Sequence, residues 1–193
     1  MSVIVAVKEN GVVYLGADTQ TTAGAIKQKC LSESSFKIVK LKNGILLGIC
    51  GKVSARQIIL SDSDLFTLDE NGQLTKAQIV REIIPKLIDK MEQIGDKESG
   101  DLDVSLLLAY KDKMYRISSG LNVVSLSEVA RQGSGSDKVC YVLHGLKDLP
   151  VRERILKALV QSAKHTDSVG GPFVLIDTER LEYEIVDKGE ENH

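Results

Sequence analysis

Residues 2–7, Ser2-Val3-Ile4-Val5-Ala6-Val7, and residues 12–19, Val12-Val13-Tyr14-Leu15-Gly16-Ala17-Asp18-Thr19, decide how the rest of the chain is read. They read as two apolar strands joined by Lys8-Glu9-Asn10-Gly11, and Asn-Gly between two such runs is a strong hairpin signal. Met1 stands in front of Ser2. A serine made N-terminal by removal of one methionine carries a hydroxyl nucleophile and an amine base in a single residue. That amine titrates near ~8, close to the ideal for a general base at neutral pH. Serine also follows Met in many chains as a processing preference, so Ser2 alone decides nothing. Asp18 adds weight, because an aspartate at the end of the second strand points back along the hairpin toward the chain terminus.

Composition narrows the classes. With 193 residues, 42% hydrophobic and 27% charged, the chain suits one globular domain spanning residues 1–193. Its 25 Lys and Arg nearly balance 27 Asp and Glu, a net charge of -2 that gives no support for a nucleic-acid or anionic-membrane partner. Cys30, Cys50 and Cys140 are odd in number and widely spaced, and read as small buried hydrophobes of a reduced compartment. No stretch approaches the ~20 apolar residues of a membrane span, and Lys8 and Glu9 interrupt the N-terminal apolar run too early for a signal peptide. The expected location is the cytoplasm.

Further along, Phe36 to Leu41 alternates, and Ile45 to Cys50 is an unbroken apolar run that suits a strand covered on both faces. Val53 to about Leu68 is helix-compatible, weakened by Ser61-Asp62-Ser63-Asp64. Thr75 to about Ile94 is the clearest helix, with Ile79, Val80, Ile83, Ile84, Leu87, Ile88 and Met91 at helical spacing. Thr75 and Gln78 form a capping box, and Pro85 predicts a kink. Strands follow at Val104 to Tyr110 and Met114 to Ile117. Helices are predicted from Gly133-Ser134-Gly135-Ser136 to Leu143 and from Pro150 onward, and the last strands are Phe173 to Ile176 and Tyr183 to Val186. Helices gathered in pairs between antiparallel strands argue an α+β fold with helices outside the sheets.

Other chemistry is thinly supported. His144, His165 and His193 give no convincing Ser-His-Asp set. Gly133-Ser134-Gly135-Ser136 lacks the Gly-Lys-Ser/Thr of a phosphate loop and reads as a turn and helix cap. Thr67 to Gln78 hints at a calcium loop but begins and ends on the wrong residues. No cofactor and no metal site is expected.

Taken together, Ser2 to Val7, Asn10 to Val13 and Gly16-Ala17-Asp18-Thr19-Gln20-Thr21-Thr22-Ala23-Gly24 resemble the start of a proteasome-type β subunit, and equally the peptidase subunit of the bacterial proteasome-like protease. Both are N-terminal nucleophile (Ntn) hydrolases. Counted without a gap, the resemblance puts Ser2 at the family's nucleophile, Asp18 at its catalytic aspartate and Gly24 at its loop glycine. It makes Gly51, after Ile45 to Cys50, the oxyanion N–H donor. It also puts Ser136, last of the Gly-Ser-Gly-Ser turn, near the nucleophile. Gly170-Gly171 resembles the end of the family's Asp-x-x-Ser-Gly-Gly segment. The resemblance implies a four-layer αββα sandwich, a peptide or other amide substrate, a homo-oligomeric ring and an ATPase as candidate partner.

Three departures fall at catalytic positions. The gap-free count puts Ser34 where the family has a lysine, and Lys37, three residues on, faces the other side if the strand is regular. Lys52, just after Gly51, is a candidate substitute cation and equally a candidate surface lysine. Counting back from Gly170-Gly171, Thr166 and Val169 stand at the family's Asp and Ser positions, so recruiting Asp167 and Ser168 needs a one-residue shift. Serine in place of threonine loses only the methyl that restricts the rotamer. The chain is therefore read as an Ntn peptidase or amidohydrolase, with non-peptide amides as a further substrate class. The alternative is an inactive subunit of the same fold serving assembly or binding.

Overall fold

The structure is a computed structural model, and it describes residues 2–23, 26–62, 64–92 and 104–187. The opening hairpin forms as read: β1 (Ile4–Glu9) pairs antiparallel with β2 (Val12–Asp18). Asn10 and Gly11 turn between them at φ 51° and 78°, as a two-residue hairpin loop requires. A separate hairpin, β3 (Gln20–Ala23) with β4 (Ile26–Lys29), follows. Then come β5 (Ile38–Lys40), β6 (Leu46–Gly51) and α1 (Val53–Leu60). The second helical region runs through α2 (Lys76–Gln78), a π-helical stretch Ile79–Ile83 and α3 (Ile84–Glu92). Beyond it lie β7 (Val104–Tyr110), β8 (Lys113–Ile117), β9 (Val123–Leu126), β10 (Val129–Gln132), α4 (Ser136–Gly145), α5 (Val151–Lys164), β11 (Phe173–Asp177) and β12 (Glu184–Val186).

Two five-stranded antiparallel sheets result. One has the order β10-β1-β2-β11-β12, the other β5-β6-β7-β8-β9. Side-chain alternation explains how they stack. On β1, Ile4 and Ala6 face the second sheet, while Val5 and Val7, with Val3 just ahead of the strand, face α4 and α5. On β7, Leu107 and Ala109 face the first sheet, and Leu106 and Leu108 face α1 and the second helical region. The apolar runs are unbroken because both faces of each central strand are covered. The layers are thus helix, sheet, sheet, helix, the αββα sandwich that the resemblance implied.

Local departures have local causes. The helix after Val53 stops at Leu60, where Ser61 begins the polar break and returns its hydroxyl to the Ile58 carbonyl. At the next helix Thr75 caps the Gln78 N–H at 3.2 Å. The reciprocal half of the capping box is absent, because Gln78 Nε2 donates to the Thr67 carbonyl at 2.6 Å instead. Pro85 has no N–H to offer, and the π-helical stretch Ile79–Ile83 lies just ahead of it, the kind of adjustment that accommodates a helix-interior proline. Val80, placed on the apolar face by spacing, is 48% exposed. The reading of Ile94 as the helix end lies outside the described residues.

Candidate active site

The site forms where the ends of the two sheets meet. Ser2 precedes β1 and is buried. Its carbonyl accepts the Gly135 N–H at 3.3 Å, which ties it to the turn ahead of α4. Gly133 in that turn has φ 93°, and a Cβ there would collide with the Ser2 carbonyl. This explains why the turn contains glycine: it needs both the positive φ and the close approach.

Asp18 ends β2 and is 1% exposed. Its Oδ1 accepts the Val3 N–H at 2.9 Å, so the carboxylate sits one residue from Ser2. Its Oδ2 accepts the Gly170 N–H at 3.4 Å. Lys37 Nζ donates to Asp18 Oδ1 at 2.7 Å and to the Gln20 carbonyl at 2.6 Å. Burial pushes the Asp18 carboxyl upward, opposed by the Lys37 ammonium and by the Val3 and Gly170 N–H groups. The result is a buried, hydrogen-bonded ion pair beside the candidate nucleophile.

A lysine therefore does stand beside Asp18, and it is Lys37. The gap-free count to Ser34 missed it for a geometric reason. Glu33–Ser35 forms a 3-10 turn, and Lys37 precedes β5, so strand alternation does not govern its direction. Ser34 lies exposed on that turn, its hydroxyl 2.8 Å from that of Ser32. Lys52 is exposed at the N-cap of α1.

Gly51 ends β6 at an exposed position two residues before α1. The preceding Cys50 is buried, and burial pushes its thiol up to about 12. It stays protonated and is no competitor to Ser2 as a nucleophile. Ser136 opens α4, half-buried, with its N–H on the Gly133 carbonyl at 3.1 Å. Asp167 is exposed, and its backbone carbonyl accepts Gln20 Nε2 at 2.9 Å. Val169 is buried in the same apolar cluster as Val3, both of them beside Gly135, and the Ser168 hydroxyl is buried with no hydrogen-bond partner among the described residues. A cavity of about 880 Å³ lies behind this loop, bordered by Gln20, Asp167, Gly170 and helices α4 and α5; Ser2 is not among its lining residues.

No family model and no curated protein sequence matches the chain. Solved structures do. BPH from Thiobacillus denitrificans superposes with a TM-score of 0.72 at 16% identity, over 91% of this chain and 96% of that one. HslV from Trypanosoma brucei gives 0.64 at 15% identity, over 91% and 98%. An Anbu mutant from Hyphomicrobium sp. strain MC1 gives 0.74 at 14% identity, over 99% and 89%. At such identities likeness speaks for the fold alone. The chain has the proteasome β-subunit-like fold of the Ntn hydrolases.

Proposed function

We propose that the chain is an Ntn peptidase or amidohydrolase whose nucleophile is the hydroxyl of Ser2 after removal of Met1. The observation that carries the reading is Asp18 Oδ1, which accepts both the Val3 N–H at 2.9 Å and the Lys37 ammonium at 2.7 Å. An ion pair is expensive to bury, and this one is buried one residue from an N-terminal hydroxyl. The Ser2 hydroxyl proton passes to the Ser2 α-amine as Oγ adds to the amide carbonyl. The Gly51 N–H holds the oxyanion, an effect worth ~3 kcal/mol or more in comparable sites. The C–N bond then breaks, the leaving amine takes the proton, and an acyl ester remains on Ser2. Water adds to that ester as a proton passes to the Ser2 α-amine; the acyl C–Oγ bond then breaks, Oγ takes that proton, and the acid and free Ser2 are released.

In this scheme Lys37 and Asp18 set the charge around the α-amine, and Ser136 borders the nucleophile. Asp167 supports the 167–171 loop through its backbone. The substrate is a peptide or other amide, and the working form is a homo-oligomeric ring in the cytoplasm that an ATPase serves.

One observation favours the second reading, an inactive subunit for assembly or binding. Val169, buried in the same apolar cluster as Val3, stands at the position where the resemblance would have a serine. The two readings separate on an intact mass of the natively produced protein and on labelling by a serine-reactive acylating probe. Loss of Met1 with labelling that disappears in Ser2→Ala supports catalysis. Full retention of Met1, or equal labelling of both proteins, rules Ser2 out as the nucleophile.

A further inference from the structure

Lys37 owes its direction to the backbone ahead of it. That backbone is the exposed turn Glu33–Ser35 followed by the buried Phe36, and the turn contributes no buried residue of its own. It is closed by the Ser35 N–H on the Ser32 carbonyl at 2.8 Å and the Phe36 N–H on the Glu33 carbonyl at 3.2 Å. So short a turn, with so little buried, holds itself weakly.

Arg56, in α1, reaches it from the side. Its Nη2 donates to the Ser34 carbonyl at 3.0 Å and to the Phe36 carbonyl at 2.6 Å. Its Nε is buried without a hydrogen-bond partner among the described residues, so the head group is committed to these two carbonyls at some cost. Downstream, the Tyr183 hydroxyl donates to the Ile38 carbonyl at 3.2 Å and accepts the Lys40 N–H at 2.8 Å. The Lys37 carbonyl accepts the Ile49 N–H at 2.9 Å. Lys37 is thus bracketed, with a guanidinium gripping the chain before it and a phenol gripping the chain after it.

We infer that Arg56 is a positioning residue for Lys37: by fixing the Ser34 and Phe36 carbonyls it delivers the Lys37 ammonium to Asp18 Oδ1. The inference rests on the Ser2 reading for its catalytic meaning, but not for its geometry. Both bonds leave one nitrogen, Nη2, and the ammonium of a shorter lysine also carries several N–H donors but reaches less far, so Arg56→Lys should keep part of the effect and Arg56→Ala none.

The first test needs no activity. Reductive methylation, read by peptide mass spectrometry, reports how accessible each lysine amine is. In the wild-type protein Lys37 should be protected, since its side chain is 10% exposed. In Arg56→Ala, at a temperature where circular dichroism shows the protein folded, Lys37 should be modified at least tenfold faster, with Arg56→Lys between. Protection unchanged in Arg56→Ala overturns the inference.

The second test reads the pH midpoint of Ser2 labelling. A nearby cation lowers the pKa of an amine, so displacing Lys37 should move the midpoint to higher pH. A residue that merely stabilises the fold would lower the melting temperature and leave the midpoint where it was, which would overturn the inference. If wild type and Ser2→Ala label equally while Lys37 loses protection in Arg56→Ala, the Ser2 reading has failed and the positioning role stands.

Discussion

Lys37 and Asp18 share a single oxygen, Asp18 Oδ1, with the Val3 N–H. Removing either charge leaves the other buried and uncompensated, at a cost of roughly 3–5 kcal/mol. The pH dependence has a definite sign. Folding raises the Asp18 pKa from its ordinary 3.8 through burial, against the pull of Lys37. A carboxyl raised in this way contributes stability below its unfolded pKa and loses it as pH climbs above about 4. Without the lysine the loss must be larger. Lys37→Met should therefore melt close to wild type near pH 4 and progressively lower toward neutral pH, in scanning calorimetry across that range. A melting-temperature gap that does not change with pH would show that Asp18 is not left charged and unpaired.

At the scale of elements, the turn between β10 and α4 shapes the position of Ser2. Gly133 holds φ 93° there with the Ser2 carbonyl against it, and the Gly135 N–H meets that carbonyl at 3.3 Å. Gly133→Ala should lose about 1–2 kcal/mol for the backbone conformation alone. It should also displace Ser2 and slow probe labelling by more than the lost stability explains. Denaturant melts alongside labelling rates check this, and labelling at the wild-type rate would show that the turn does not set Ser2. The Gly-Ser-Gly-Ser run was legible in the sequence as a turn before a helix. Its contact with Ser2 was not, because nothing in a local pattern links residue 133 to residue 2. The hairpin of β3 and β4 escaped the sequence reading for the opposite reason. Its β4 residues are all exposed, so no core face imprints an alternation.

The whole molecule holds the site together by stacking its sheets. Ser2 leads into β1 and Asp18 ends β2 of the first sheet, while Lys37 leads into β5 and Gly51 ends β6 of the second. The layer between them includes Ile4, Leu15, Ile38, Leu46 and Leu107. Leu107→Ala, at a position 1% exposed, should cost 2–5 kcal/mol by the usual range for such truncations. It should also weaken Ser2 labelling, because it loosens the contact that brings Lys37 to Asp18. Chemical denaturation and labelling on one sample would decide the point, and destabilisation with unchanged labelling would mean that each sheet holds its half of the site unaided. The sequence by itself determined the hairpin that sets Asp18 back toward Ser2, because an Asn-Gly turn between two apolar runs is a short-range instruction. It determined the layered fold as well, through apolar runs that demand cover on both faces. Only the tertiary structure decided that the lysine beside Asp18 is Lys37. That choice depends on a 3-10 turn, a guanidinium from α1 and the packing of one sheet on the other, and none of these leaves a periodic mark in the chain.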